Sequence, residues 1–143
     1  MGASSTIASI LGQPNAGERF NQPAKLAREL SKGLPFRTLE FIAQTYGLSL
    51  EQLSPVVAVS PRTLARRRSE GVFHPDESDR IGRLARILEH ADEVFADHLS
   101  VGRWLVTEIR ALGYVAPLTL MVNDAGVLAV DQILGRIDHG VYS

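Results

Sequence analysis

Ser60-Pro61-Arg62-Thr63-Leu64-Ala65-Arg66-Arg67-Arg68-Ser69-Glu70-Gly71 is the stretch on which the reading of this chain turns. Ser60 is a residue type that caps a helix by accepting a backbone N–H, and Pro61 suits a first helical position, where no donor is needed. Gly71 supplies the stop. Between them stand four arginines against the single acid Glu70. Arg62 and Arg66 are four apart and share a face, with Thr63 and Arg67 beside it. A short helix of this kind can lie in the major groove of DNA. There one arginine bonds a guanine edge with two hydrogen bonds while others neutralise phosphates. The candidate DNA-contacting residues are therefore Ser60, Arg62, Thr63, Arg66, Arg67 and Arg68. By themselves four arginines fit a solvated basic face equally well, so the neighbouring segments decide.

Working upstream, Leu39, Ile42, Ala43 and Tyr46 recur at helical spacing after Pro35, with Gly47 as a stop. Ser49 followed by Gln52 is a capping-box pattern for a second helix with Leu50, Leu53, Val56 and Val57 on its apolar side. Pro55 removes a backbone donor inside it, which predicts that this helix is short or starts late. The turn Ala58-Val59-Ser60 then leads into the arginine helix, completing a helix-turn-helix. Ala24 to Lys32 reads as a short helix ended by Gly33. Residues 1–22, rich in Gly, Ser, Asn and Gln, read as a flexible N-terminal arm.

Downstream, a long helix begins near Pro75-Asp76-Glu77, with the stripe Ile81, Leu84, Leu88, Ala91 and Phe95. Its Arg80, Arg83 and Arg86 are expected to face solvent or to pair with Glu77, Asp79, Glu89 and Asp92. Trp104, Leu105, Ile109 and Leu112 predict a fifth helix closed by Gly113, and Pro117 to Met121 a short helical turn. A last helix is capped by Asn123 or Asp124, carries Val127, Val130, Ile133 and Leu134, and is expected to stop at Gly135. No segment alternates as a strand does, so the class is all-α. The expected division is 1–22 arm, 23–75 helix-turn-helix domain and 76–143 helical C-terminal domain, with residues 135–143 as its tail. That tail joins Arg136, Asp138 and His139 to the apolar Ile137, Val141 and Tyr142. Gly135 and Gly140 let its backbone turn, and Ser143 ends it, so an extended segment of this kind can enter a partner's pocket.

Composition narrows the function. The net charge of −1 over 143 residues says nothing about nucleic acid, so the DNA argument rests on local charge. The absence of cysteine excludes disulfides, thiol catalysis and thiolate metal sites. The four histidines show no metal-ligand spacing, and there is neither a nucleophile elbow nor a glycine-rich phosphate loop. No catalytic residue, cofactor or metal site is predicted. No apolar run approaches the roughly 20 residues that span a bilayer. Met1 to Leu11 carries no basic residue ahead of its apolar stretch, so it makes a poor signal peptide. A soluble, cytoplasmic protein is expected.

Several stretches together resemble the Xre/MbcA/ParS antitoxins of toxin–antitoxin pairs. Val59 to Arg67 is similar to that family's recognition-helix signature, and Glu77-Ser78-Asp79-Arg80 with Arg83-Leu84-Ala85-Arg86 to the next one. Trp104-Leu105, Ala111-Leu112-Gly113, Pro117-Leu118 and Gly126 resemble the downstream domain, and Leu134 to Tyr142 the C-terminal signature. The resemblance implies a partner toxin of the RES type, which attacks NAD or uses it to modify a target. It implies that the C-terminal domain, with the tail Gly135, Arg136, Ile137, Asp138, His139, Gly140, Val141, Tyr142 and Ser143, covers the toxin's active site. It also implies operator DNA as a second partner, autorepression and a homodimer inside a larger hetero-oligomer. The chain departs from the pattern twice: Val106-Thr107-Glu108-Ile109 lacks the proline usual after Trp-Leu, and Gly113-Tyr114 stands where Gly-Gly is common. A stand-alone helix-turn-helix regulator without a toxin is the alternative reading.

Overall fold

The computed structural model describes residues 23–140; the proposed arm 1–22 and the tail residues Val141, Tyr142 and Ser143 lie outside the described residues. Helix α1 (Pro23–Lys32) leads through a left-handed Gly33 into α2 (Phe36–Tyr46). The apolar stripe of α2 is buried as its spacing demands, with Leu39, Ile42, Ala43 and Tyr46 all inside. Gly47 in the left-handed conformation ends it. Helix α3 (Leu50–Leu53) has both arms of the capping box: Ser49 Oγ accepts from Gln52 N at 3.0 Å and Gln52 Oε1 from Ser49 N at 2.8 Å.

The second helix is shorter than its apolar side alone would give. Pro55 has no N–H to continue the ladder, so the chain passes from Leu53 into successive turns over residues 54–58. Val56, Val57 and Val59 stay buried all the same. The link between the two helix-turn-helix helices therefore spans more than the three residues 58–60, and Ala58 takes a left-handed backbone within it. Helix α4 (Pro61–Glu70) follows, and α5 (Pro75–Phe95) runs for 21 residues. Its buried face carries Ile81, Leu84, Ala85, Leu88 and Ala91.

The remaining elements are α6 (His98–Leu105), a 3₁₀ turn at Arg110–Leu112, α7 (Pro117–Leu120) and α8 (Asp124–Asp138). Two expectations fail here. The helix expected to run from Trp104 through Leu112 ends at Leu105. The Thr107 hydroxyl donates back to Arg103 O at 2.6 Å, and Ile109 pairs with Val115 in an isolated antiparallel bridge instead. The last helix does not stop at Gly135. Ile137, half-buried, extends the series Val130, Ile133, Leu134 by one more turn, and Asp138 is still helical. Gly140, with φ +74° and its N–H bonded to Ile137 O at 3.0 Å, is the stopping glycine. Gly135, Arg136, Ile137 and Asp138 are thus helix rather than extended tail.

A single apolar cluster runs from Leu34 to Leu134, gathering side chains from every helix from α2 to α8. Helix α5 packs against α1, α6 and α8, and α2 packs against α6. Because α5 touches elements from both ends of the chain, it holds the helix-turn-helix and the C-terminal helices on one core.

Candidate nucleic-acid interface and C-terminal face

Helix α4 is set up by its own ends. Ser60 Oγ accepts from Thr63 N at 3.1 Å and donates to Thr63 Oγ1 at 3.0 Å, while left-handed Gly71 closes the C-terminus. Leu64 is its apolar anchor. The opposite face, spaced i, i+3, i+4, i+7, consists of exposed Arg62, Ala65, Arg66 and Ser69. Neither Arg62 nor Arg66 enters a salt bridge among the described residues. Charge does not mark Ala65 and Ser69, although their spacing from Arg62 is sufficient to place them on this face. Arg68 turns toward α2, its guanidinium 5.2 Å over the Phe36 ring and 3.8 Å from Glu40, with its side chain still 59% exposed.

Arg67 requires a correction. It is buried, at 6% exposure, and faces α5 rather than solvent. Its Nε donates to Glu77 Oε1 at 2.8 Å and its Nη2 to Glu77 Oε2 at 3.0 Å, a two-pronged fork on a carboxylate that is itself buried. Nη1 reaches Glu70 at 3.1 Å and Nη2 also meets His74 Nδ1 at 3.1 Å. The backbone N–H of His74 completes the set on Glu77 at 2.8 Å. Burial by itself would push the Glu77 carboxyl up. The Arg67 hydrogen bonds, the His74 N–H and the adjacent positive charge outweigh it and hold the group below the ordinary glutamate range. Position 67 lies three residues after Leu64, on the same inward face, and that is why this arginine is withdrawn from the outer surface.

Of the arginines of α5, Arg86 is exposed and in no salt bridge among the described residues, while Arg80 and Arg83 have partners other than Glu77, Asp79, Glu89 and Asp92. Arg80 lies 3.6 Å from Asp76 and reaches the carbonyl of Val57 at 3.5 Å, in the turn that precedes α4. Arg83 pairs with Asp124 at the start of α8. Tyr46 donates to Asp92 at 2.6 Å; burial first, then this bond, push its hydroxyl far above the usual phenol range, so it stays a donor. Trp104 packs obliquely on Phe95, with ring centroids 5.4 Å apart, which is a core role. Among the described residues no group of three or more His, Asp or Glu side chains is placed to hold a metal ion. No helix there is long and apolar enough to cross a membrane.

The C-terminal helices present a different surface. Between the 3₁₀ turn and α7 the backbone is left-handed at two successive residues, Gly113 at φ +76° and Tyr114 at φ +62°. Tyr114 is the second position of the Gly-Gly pattern from which the chain departs, and it is 64% exposed. Val106, Val115, Val122 and Leu128 are also exposed in this region.

Residues 25–86 match the model of the antitoxin Xre-like helix-turn-helix domain, and residues 90–140 that of the antitoxin Xre/MbcA/ParS C-terminal toxin-binding domain. An Antitoxin Xre of Photorhabdus laumondii is 34% identical over 116 residues, 80% of this chain and 78% of that one. An Antitoxin Xre of Yersinia enterocolitica is 30% identical over 120 residues, 82% and 81% of the two chains. The chain belongs to the Xre antitoxin family. As a member it is a regulatory binding protein with a helix-turn-helix domain and a toxin-binding domain, and not an enzyme. In this Xre-family chain the first match ends inside α5 and the second begins inside it. One continuous helix joins the two domains, with no linker between them.

Proposed function

We propose that this chain binds its own operator as a homodimer and represses its operon, and that its C-terminal domain neutralises a NAD-targeting RES toxin in the cytoplasm. The observation that carries the DNA half is the outward face of α4, where Arg62 and Arg66 stand exposed, free of salt bridges among the described residues, on a capped helix. Arg62 and Arg66 read base edges. Ser60, Thr63 and Arg68 sit beside the phosphates, with exposed backbone at the helix start favouring an anion. Two copies place two α4 helices in successive major grooves, roughly 34 Å apart. Arg62→Ala and Arg66→Ala should each weaken operator binding by about 1–3 kcal/mol and relax base preference, while toxin neutralisation persists. Titration of operator and scrambled duplexes at fixed salt checks this, and unchanged affinity in both variants would move the reading face elsewhere.

The toxin half draws its support from the matched toxin-binding domain and from the C-terminal residues that follow α8. His139, Gly140, Val141, Tyr142 and Ser143 enter the toxin's pocket, with Gly135, Arg136, Ile137 and Asp138 presenting them from the last helical turns. Removing everything from Gly135 onward would shorten α8, so truncation after Gly140 is the cleaner test. A chain ending there should fold and bind operator but fail to rescue growth or cell NAD when co-expressed with its cognate RES toxin. Full rescue by that truncated chain would remove the tail from the mechanism.

A further inference from the structure

A groove of about 410 Å³ separates the helix-turn-helix from the C-terminal helices. Gln52 and Pro55 form one wall, and Val106, Ala116, Leu118 and Val122 the other. Among the described residues that line it, Glu51 alone is charged, so water inside has few polar partners. Val106 and Val122 are both more than two-fifths exposed, which is unusual for side chains that converge on one cleft. Tyr114 lies two residues before Ala116 on the connection that forms the second wall. Its left-handed backbone is one that a side chain with a Cβ adopts at a cost, and nothing in the core recovers that cost because the ring is largely in solvent. The Tyr114 N–H bonds to Ile109 O at 2.9 Å, so this backbone closes the turn and leaves a large aromatic side chain pointing outward beside the groove.

We propose that the toxin docks on this face, seating an apolar segment in the groove against Val106 and Val122 and closing over Tyr114. The occupant is chosen by the position of the surface. Most of the groove's lining falls within residues 90–140, the segment matching a toxin-binding domain. So do six of the eight exposed large apolar side chains among the described residues: Leu99, Val106, Tyr114, Val115, Val122 and Leu128. The assignment rests on the toxin-neutralising reading above and adds a second contact distinct from the C-terminal residues. It also brings the toxin against Pro55, in the turn that leads into α4.

The test uses the full chain with its cognate RES toxin. Tyr114→Gly should raise the melting temperature by a few degrees, since the strain is relieved, yet weaken toxin binding at least about tenfold. A merely structural role moves both in the same direction. Val122→Asp should weaken toxin binding at least about tenfold while operator affinity stays unchanged. In the unaltered chain, toxin should slow amide hydrogen exchange over residues 114–122. Wild-type toxin affinity in both variants overturns the assignment, as does protection confined to residues 124–140. Loss of self-association in Val122→Asp with toxin affinity intact would overturn it in favour of a second copy as occupant. A wild-type chain that binds no such toxin overturns the toxin reading itself, and the groove assignment with it.

Discussion

Gly102→Ala should lower the melting temperature by roughly 10 °C or more, an effect out of proportion to the single carbon it adds. Gly102 lies inside α6 where that helix crosses the end of α2, and it is buried. A Cβ built there would stand 1.8 Å from the carbonyl oxygen of Tyr46 and 2.9 Å from its carbonyl carbon. The obstruction is backbone, so no side chain can rotate out of the way. Helix α6 must withdraw, and Val101 and Leu105, both fully buried beside it, lose their packing. Overpacking of this severity costs on the order of 3 kcal/mol, which for a chain of this size is roughly 10 °C. Thermal unfolding followed by circular dichroism measures it, and a melting point within about 3 °C of wild type would show that the two helices have room to separate. Because this crossing ties the helix-turn-helix to the C-terminal helices, both DNA and toxin binding should fall with the folded fraction.

The second large effect belongs to the buried fork between α4 and α5. Glu77→Leu leaves the Arg67 guanidinium facing an apolar side chain, with only the Glu70 carboxylate and His74 Nδ1 still opposite it, and should clearly lower the midpoint of denaturant unfolding. The double variant Arg67→Met with Glu77→Leu removes both charges together and should recover most of that loss, since packed apolar side chains commonly replace a buried pair. Denaturant titration of the two variants gives the comparison. Recovery of operator affinity along with stability is expected, because Arg67 does not face the outer side of α4; its absence in a stable double variant would return Arg67 to the DNA-contacting set. The pair also fixes a sign for acid behaviour. Glu77 is held below its unfolded value, so its contribution is complete above the ordinary glutamate range, near pH ~4.3, and is lost as pH falls through the lower folded value. Wild type should therefore lose stability in that acid window more steeply than the double variant, which lacks the Glu77 carboxylate.

Much of the architecture was legible in the residues because it depends on contacts between near neighbours. The capping box at Ser49 and Gln52, the cap at Ser60, the stops at Gly47 and Gly71 and the stripes of α2 and α5 all involve partners within about one helical turn. Pro55 was legible as a break for the same reason, since the missing N–H belongs to the residue itself. Local pattern misleads where the deciding contact lies beyond one helical turn. Gly135 has the look of a stop, yet nothing in its surroundings asks for a left-handed backbone, and the buried Ile133 and Leu134 before it and half-buried Ile137 after it keep α8 going. Ile109 and Leu112 have helical spacing, but Ile109 is taken by Val115 across a bridge.

The candidate site divides along the same line. Composition and spacing by themselves determined that Ser60–Gly71 is a capped, arginine-bearing helix preceded by a short one, because charge, caps and period are all written locally. They could not determine which arginines face outward, since the inward face of α4 depends on where α5 lies. Only the tertiary structure withdrew Arg67 to Glu77, ten residues on, and left Arg62 and Arg66 free of such pairing among the described residues. Gly102 and Gly126 follow the same rule: no local pattern explains either, and a glycine inside a helix ordinarily costs about 1 kcal/mol. In the fold each meets a carbonyl that no larger residue could approach, that of Tyr46 in one case and Leu120 in the other. A residue's type and its neighbours set what it can do; the element packed against it decides what it does.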